Sequence, residues 1–218
     1  MAVFHGAGRG GGDPYNAGLV LTSVPEPLYV ARYPLAEQHT GHSANTTGAS
    51  NVAVGKSALT AATTADNNVA VGTNALTATT TGGNNTAMGN NSLDANTTGT
   101  SNTGIGALSL TANTTGTHNV GVGRNALAAN TTAVENVAVG YNTLAANTTG
   151  TANVALGSRA LDANTTADNN TAVGYDALGA NTTGAGGVAV GANALDANTT
   201  GVRNPASGQD ALGGNTIG

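Results

Sequence analysis

From residue 51 onward the chain repeats one short pattern of apolar and polar positions every seventeen residues. The unit opens with Asn51-Val52-Ala53-Val54-Gly55 and places Leu59 four residues after its glycine. The glycines Gly55, Gly72, Gly89, Gly106, Gly123, Gly140, Gly157, Gly174, Gly191 and Gly208 keep this step, as do the leucines from Leu59 to Leu212, through ten copies without insertion. Such fixed-period self-similarity is the mark of a repeat architecture. The Val-Ala-Val alternation predicts a short strand and the glycine a tight turn. A second extended piece is expected around Ala58-Leu59, with a return through Asn-Thr-Thr-Gly. Coils stacked at the strand spacing of about 4.8 Å make a rod of roughly 50 Å. The expected fold is all-β, a parallel β-roll or β-helix solenoid of ten coils over residues 45–218, preceded by an extended arm over residues 1–44.

Alternation within the strand predicts which side chains face which way. Val54, Val71, Met88, Ile105, Val122, Val139, Leu156 and Val173 read as the inward column, with Val or Thr two residues before. The opposite face reads Ala53, Ala70, Ala87, Gly104, Gly121, Ala138, Ala155, Ala172, Ala189 and Ala206, nothing larger than a methyl group. A solvated column drifts among residue types, as Lys56, Thr73, Asn90, Ala107, Arg124, Tyr141, Ser158 and Tyr175 do. The uniform alanine column is therefore expected to lie against another chain. Little apolar bulk per coil stands against the backbone entropy, which also favours association. Closed symmetry suits identical rods side by side, and the expected assembly is a homotrimer.

Residues 1–44 depart from the repeat and hold Phe4, Tyr15, Tyr29, Tyr33 and four of the five prolines. Aromatic anchors are common at interfaces, so this segment reads as an arm that docks on another protein, or as a cap on the first coil. Composition narrows the field further. With 8% charged residues, 33 glycines, one Phe and no Trp, an ordinary globular core is not expected. A net charge of −5 with scattered Lys and Arg offers nucleic acid no basic patch, and no apolar run reaches membrane length. The absence of cysteine excludes disulfides. The first residues lack the basic and apolar regions of a secretory signal.

Candidate chemistry is sparse. A repeat presents like residues in rows, whereas catalysis needs unlike residues converging, so no enzyme activity and no cofactor are expected. Asp94, Asp162 and Asp196 share a column but read as solubilising charge. His39 and His42 form a lone His-x-x-His, read as polar linker rather than metal ligands. Eight Asn-Thr-Thr triplets match a glycosylation signal, but their period marks them as structural. Threonine rows on a β-solenoid raise ice binding as an alternative, limited because adjacent threonines point to opposite faces. Pro205 and Ser207 replace the paired valines in the last copy, which suits a terminal edge. If the rod recognises a receptor, the tip at Arg203, Gln209 and Asp210, or the sides with Tyr141 and Tyr175, are the candidates.

Asn-Val-Ala-Val-Gly, with Asn136-Val-Ala-Val-Gly140 and Asn153-Val-Ala-Leu-Gly157, resembles the motif of the YadA-like head domains of trimeric autotransporter adhesins. The longer unit with Ala-Leu and Asn-Thr-Thr-Gly is similar to repeats of bacteriophage tail fibres. The resemblance covers residues 45–218 and implies a left-handed parallel β-roll with three chains about one axis. The period is longer than in the adhesin heads, and no heptad stalk or anchor barrel is evident. The expected function is therefore a virion fibre mediating attachment to a host surface glycan or protein, held to the tail or baseplate by residues 1–44. A capsid head fibre and a bacterial surface adhesin are the alternatives.

Overall fold

The computed structural model describes residues 28–29 and 44–217. Its strands form one parallel sheet in strict chain order, each paired with the next. A two-residue strand, β1 (Leu28–Tyr29), leads the sheet. The ten repeat strands follow: β2 (Val52–Val54), β3 (Val69–Val71), β4 (Thr86–Met88), β5 (Thr103–Ile105), β6 (Val120–Val122), β7 (Val137–Val139), β8 (Val154–Leu156), β9 (Thr171–Val173), β10 (Val188–Val190) and β11 (Pro205–Ser207). Register advances by one repeat per strand, with Val52 beside Val69, Ala53 beside Ala70 and Val54 beside Val71. The chain is thus a β-solenoid with like residues stacked in columns.

β1 pairs Leu28 with Val52 and Tyr29 with Ala53, so part of the N-terminal segment adds a strand to the first coil. Phe4, Tyr15, Tyr33, His39 and His42 lie outside the described residues.

Two expectations about the coil are corrected. The piece around Ala58-Leu59 is a turn rather than a second strand. Ser57 and Leu59 both take left-handed backbone angles, with φ of 56° and 52°, and Leu59 N–H donates to Ala75 of the next coil at 2.9 Å. Every leucine of the column repeats this conformation, with φ between 50° and 54°. Such a backbone costs a non-glycine residue roughly 1–2 kcal/mol. Full burial of the leucine side chain, worth about 1.5–3 kcal/mol, offsets it.

The second correction concerns the faces of the strand. Ala70, Ala87, Ala138, Ala155, Ala172 and Ala189 are fully buried within this one chain, and Gly104 and Gly121 are buried with them. The valine columns point out. The alanine column Ala53 to Ala206 therefore touches no second copy and is the inside of the coil. A seventeen-residue coil is too narrow to enclose two rows of valine beside its leucine; a methyl row fits.

Beside the leucines and a second row of buried alanines at the turn, the interior holds two ladders of asparagine amides. Asn119 Nδ2 donates to Asn102 Oδ1 at 3.2 Å and to Ala133 O at 2.8 Å, while its Oδ1 accepts from Asn136 N at 3.0 Å and Asn136 Nδ2 at 3.2 Å. This ladder runs from Asn51 to Asn170. A second ladder runs through the asparagines of Asn-Thr-Thr. Asn113 Nδ2, for example, donates to Asn96 Oδ1 at 2.9 Å and closes its own turn on Gly116 O at 3.1 Å. Asn96 to Asn198 in this column are essentially buried, so their amides are structural. Buried amides that satisfy one another avoid the penalty of an unpaired polar group.

Where the inner column loses its methyl, a hydroxyl replaces it. Ser92 Oγ donates to Gly104 O at 2.9 Å, and Ser109 Oγ to Gly121 O at 2.8 Å. The turn glycine cannot vary in this way. Gly55 sits at φ 131°, and a Cβ there would lie 2.6 Å from the carbonyl oxygen of Gly72.

Candidate functional site

The sheet's outer face is the longest apolar feature of the described residues. Two columns make it: Val52, Val69, Thr86, Thr103, Val120, Val137, Val154, Thr171, Val188 and Pro205, and beside them Val54 through Ser207. Met88 is 44% exposed, Ile105 38%, Leu156 39% and Val190 41%. None of the twenty positions carries a charge. Ten strands at about 4.8 Å give a strip about 43 Å long, and two columns about 7 Å apart with their side chains make it roughly 10 Å wide. At roughly 400 Å² it falls where the largest exposed apolar patch of a monomer is often functional.

The charged groups lie elsewhere. Arg159 Nε meets Asp162 Oδ2 at 3.3 Å and its Nη2 meets Asp176 Oδ1 at 3.5 Å, beside a surface hollow that Asp196 also lines. Burial, more than any other influence, holds the Asp162 carboxyl above its ordinary range, while the hydrogen bond from Arg159 pulls it down. The Arg159 guanidinium is held more firmly protonated, chiefly by its hydrogen bond to Asp162. Asp94 lies four coils from Asp162 and accepts from Thr111 Oγ1 at 2.7 Å, so the three aspartates of the column do not converge. Among the described residues no group of three or more His, Asp or Glu is placed to hold a metal.

The proposed tip is partly assembled. Gln209 Nε2 donates to Asp210 Oδ2 at 3.3 Å and Asn193 Nδ2 to Asp210 Oδ1 at 3.0 Å. Arg203 occupies an earlier corner of the same coil, with φ 56°. Leu212, fully covered in its equivalents from Leu59 to Leu195, is 54% exposed here. Tyr141 and Tyr175 stand exposed in the same outward column. No protein-family model, curated protein or solved structure matches the chain. The functional reading therefore rests on these surfaces.

The apolar strip was assigned to the wrong side by sequence reasoning, although a signal for it is present. The Val54 column drifts in size from Val through Met, Ile and Leu, whereas the Ala53 column holds only Ala and Gly. An interior that narrow tolerates no drift, so the uniform column is the enclosed one.

Proposed function

We propose that this chain is the shaft of a homotrimeric fibre of a bacteriophage particle, in which three rods turn their Val52–Val54 faces to a common axis. The observation that carries this reading is the uncharged apolar strip along all ten repeat strands. A partner covering every row must itself repeat at the coil spacing, and a parallel copy of this chain does so. In register, Met88 then meets Met88 and Ile105 meets Ile105, which allows size to drift from layer to layer. The contact moves from the alanine column to the valine columns, and the trimer expectation moves with it.

A rod with rows of like residues and a sparsely charged surface suits attachment by shape rather than chemistry. Residues 1–44 hold the rod to the tail or baseplate, and the tip with Arg203, Gln209 and Asp210 or the sides with Tyr141 and Tyr175 meet a host glycan or surface protein. The similarity of the longer unit with Ala-Leu and Asn-Thr-Thr-Gly to tail-fibre repeats supports the particle, while the Asn-Val-Ala-Val-Gly motif resembles that of the adhesin heads. Immunogold labelling of particles and cells from a culture that makes the chain tests this, with antibody raised to residues 44–217. Gold on particle tails is the expected result. Gold on capsids indicates a head fibre, and gold on cell envelopes alone indicates a bacterial adhesin.

A further inference from the structure

A different side of the coil carries a second surface, and it behaves unlike the others. Three outward columns follow one another there, Ala61 to Ala197, Thr63 to Thr199 and Thr64 to Thr200, each nine residues long without one substitution. Adjacent threonines do not point to opposite faces as strand alternation predicts, because the Thr-Thr pair lies in a bend rather than a strand. The other outward columns drift, the valine strip included. The alanines are half-buried and the Thr64 column is exposed throughout. No charge stands in any of the twenty-seven positions.

The two threonine columns differ in their bonding. Each hydroxyl of the first donates to the carbonyl of its equivalent one coil on, as Thr97 Oγ1 does to Thr114 O at 3.1 Å and Thr114 Oγ1 to Thr131 O at 3.1 Å. That bond fixes one rotamer, so the methyl groups take the same attitude in every row. This accounts for the invariance of the first column. The hydroxyls of the second column, Thr64 to Thr200, make no hydrogen bond within the described chain, so no internal contact accounts for theirs.

The result is a lattice of fixed methyls and open hydroxyls in nine rows, about 38 Å long at the strand spacing. A protein partner would look for bulk or charge, and this face has neither. A regular lattice of methyls and hydroxyls suits a partner that is itself a lattice of hydrogen-bonding groups. We propose that this face binds ice. The methyl rows order the water over them, and the free hydroxyls of the Thr64 column hydrogen-bond into that layer, so the first shell is already arranged as the solid. The absence of charge helps, because charged groups hold water in their own geometry. The proposal uses a face separate from the valine strip and does not depend on the fibre reading.

The test is nanolitre osmometry on the purified full-length chain, which reads the gap between melting and freezing of a single ice crystal. Two variants accompany it. Thr115→Tyr with Thr132→Tyr breaks the middle of the lattice at exposed side chains that hold nothing in the fold; circular dichroism confirms folding. Arg124→Tyr alters a column that already holds Tyr141 and Tyr175. The expected result is a gap that grows with protein concentration, lost in the double variant and kept in Arg124→Tyr. No gap with the folded chain, or a gap indifferent to the double variant, overturns the proposal. Retention on insoluble chitin or cellulose that the double variant abolishes, with no effect on ice, also overturns it and reassigns the face to a polysaccharide.

Discussion

The exchange of a methyl for a hydroxyl inside the coil makes a prediction that only this packing supports. In most coils an alanine of the inner strand column faces an alanine of the preceding turn, as Ala138 and Ala126 do. Gly121 and Ser109 take the same places one coil earlier. Gly121→Ala alone puts a Cβ 2.6 Å from Ser109 Oγ, and overpacking of this kind costs about 1–3 kcal/mol. Ser109→Ala alone removes the 2.8 Å bond to Gly121 O, worth about 1 kcal/mol. The double variant recreates the Ala126 and Ala138 pair and is expected to fall within about 1 kcal/mol of the parent, a coupling of about 2 kcal/mol in favour of the pair. Urea unfolding of the four proteins, followed by circular dichroism, measures the cycle. Additive effects, with coupling below about 0.5 kcal/mol, would refute the claim that the serine hydroxyl occupies the place of the missing methyl.

The amide ladder stops at Gly187, whose N–H donates to Asn170 Oδ1 at 2.8 Å but which has no side-chain amide to pass on. Gly187→Asn continues the ladder and is expected to stabilise by about 1 kcal/mol in urea unfolding, the Asn170 amide shifting slightly to admit the new Cβ 3.2 Å away. Ala152 holds a left-handed corner, φ 54°, where half of the coils place Asn or Ser. Ala152→Asn is expected to raise stability by about 0.5–1 kcal/mol, because Asn tolerates that region better, and an unchanged urea midpoint would count against it. Burial raises the Asp162 carboxyl above its unfolded value, so its ionisation opposes folding at neutral pH and the penalty fades as pH falls through its folded value. Thermal melts of the parent against Asp162→Asn should show the parent gaining relative stability on acidification; a relative loss would contradict the stated cause.

The solenoid was legible because the repeat is unbroken and its glycines and leucines mark every turn. The corners were partly legible. Asn67, Asn84, Asn169, Asn74, Asn91, Asn125, Asn142 and Asn193 all sit at positive φ, the conformation asparagine tolerates. The leucine at positive φ was not, since leucine carries no such preference and adopts it only because the interior needs its bulk at a corner. Facing was misread for a related reason. Alternation separates the two faces of a strand but does not say which is enclosed, and in ordinary globular cores the larger apolar side chains take the inside. In a coil this thin the size limit reverses the choice. The ordered threonine columns were visible as a pattern, but their division into bonded and open hydroxyls depends on which carbonyl each one reaches.

The central claim is that the valine strip is covered by copies of the same chain. Sedimentation equilibrium of the purified protein tests it most directly, together with a Val139→Glu, Leu156→Glu variant that places charge in the middle of the strip. The account predicts a particle of three 20.9 kDa chains, about 63 kDa, for the parent and dissociation to single chains for the variant. A folded parent that sediments as a 20.9 kDa monomer, or a variant that stays trimeric, would contradict it.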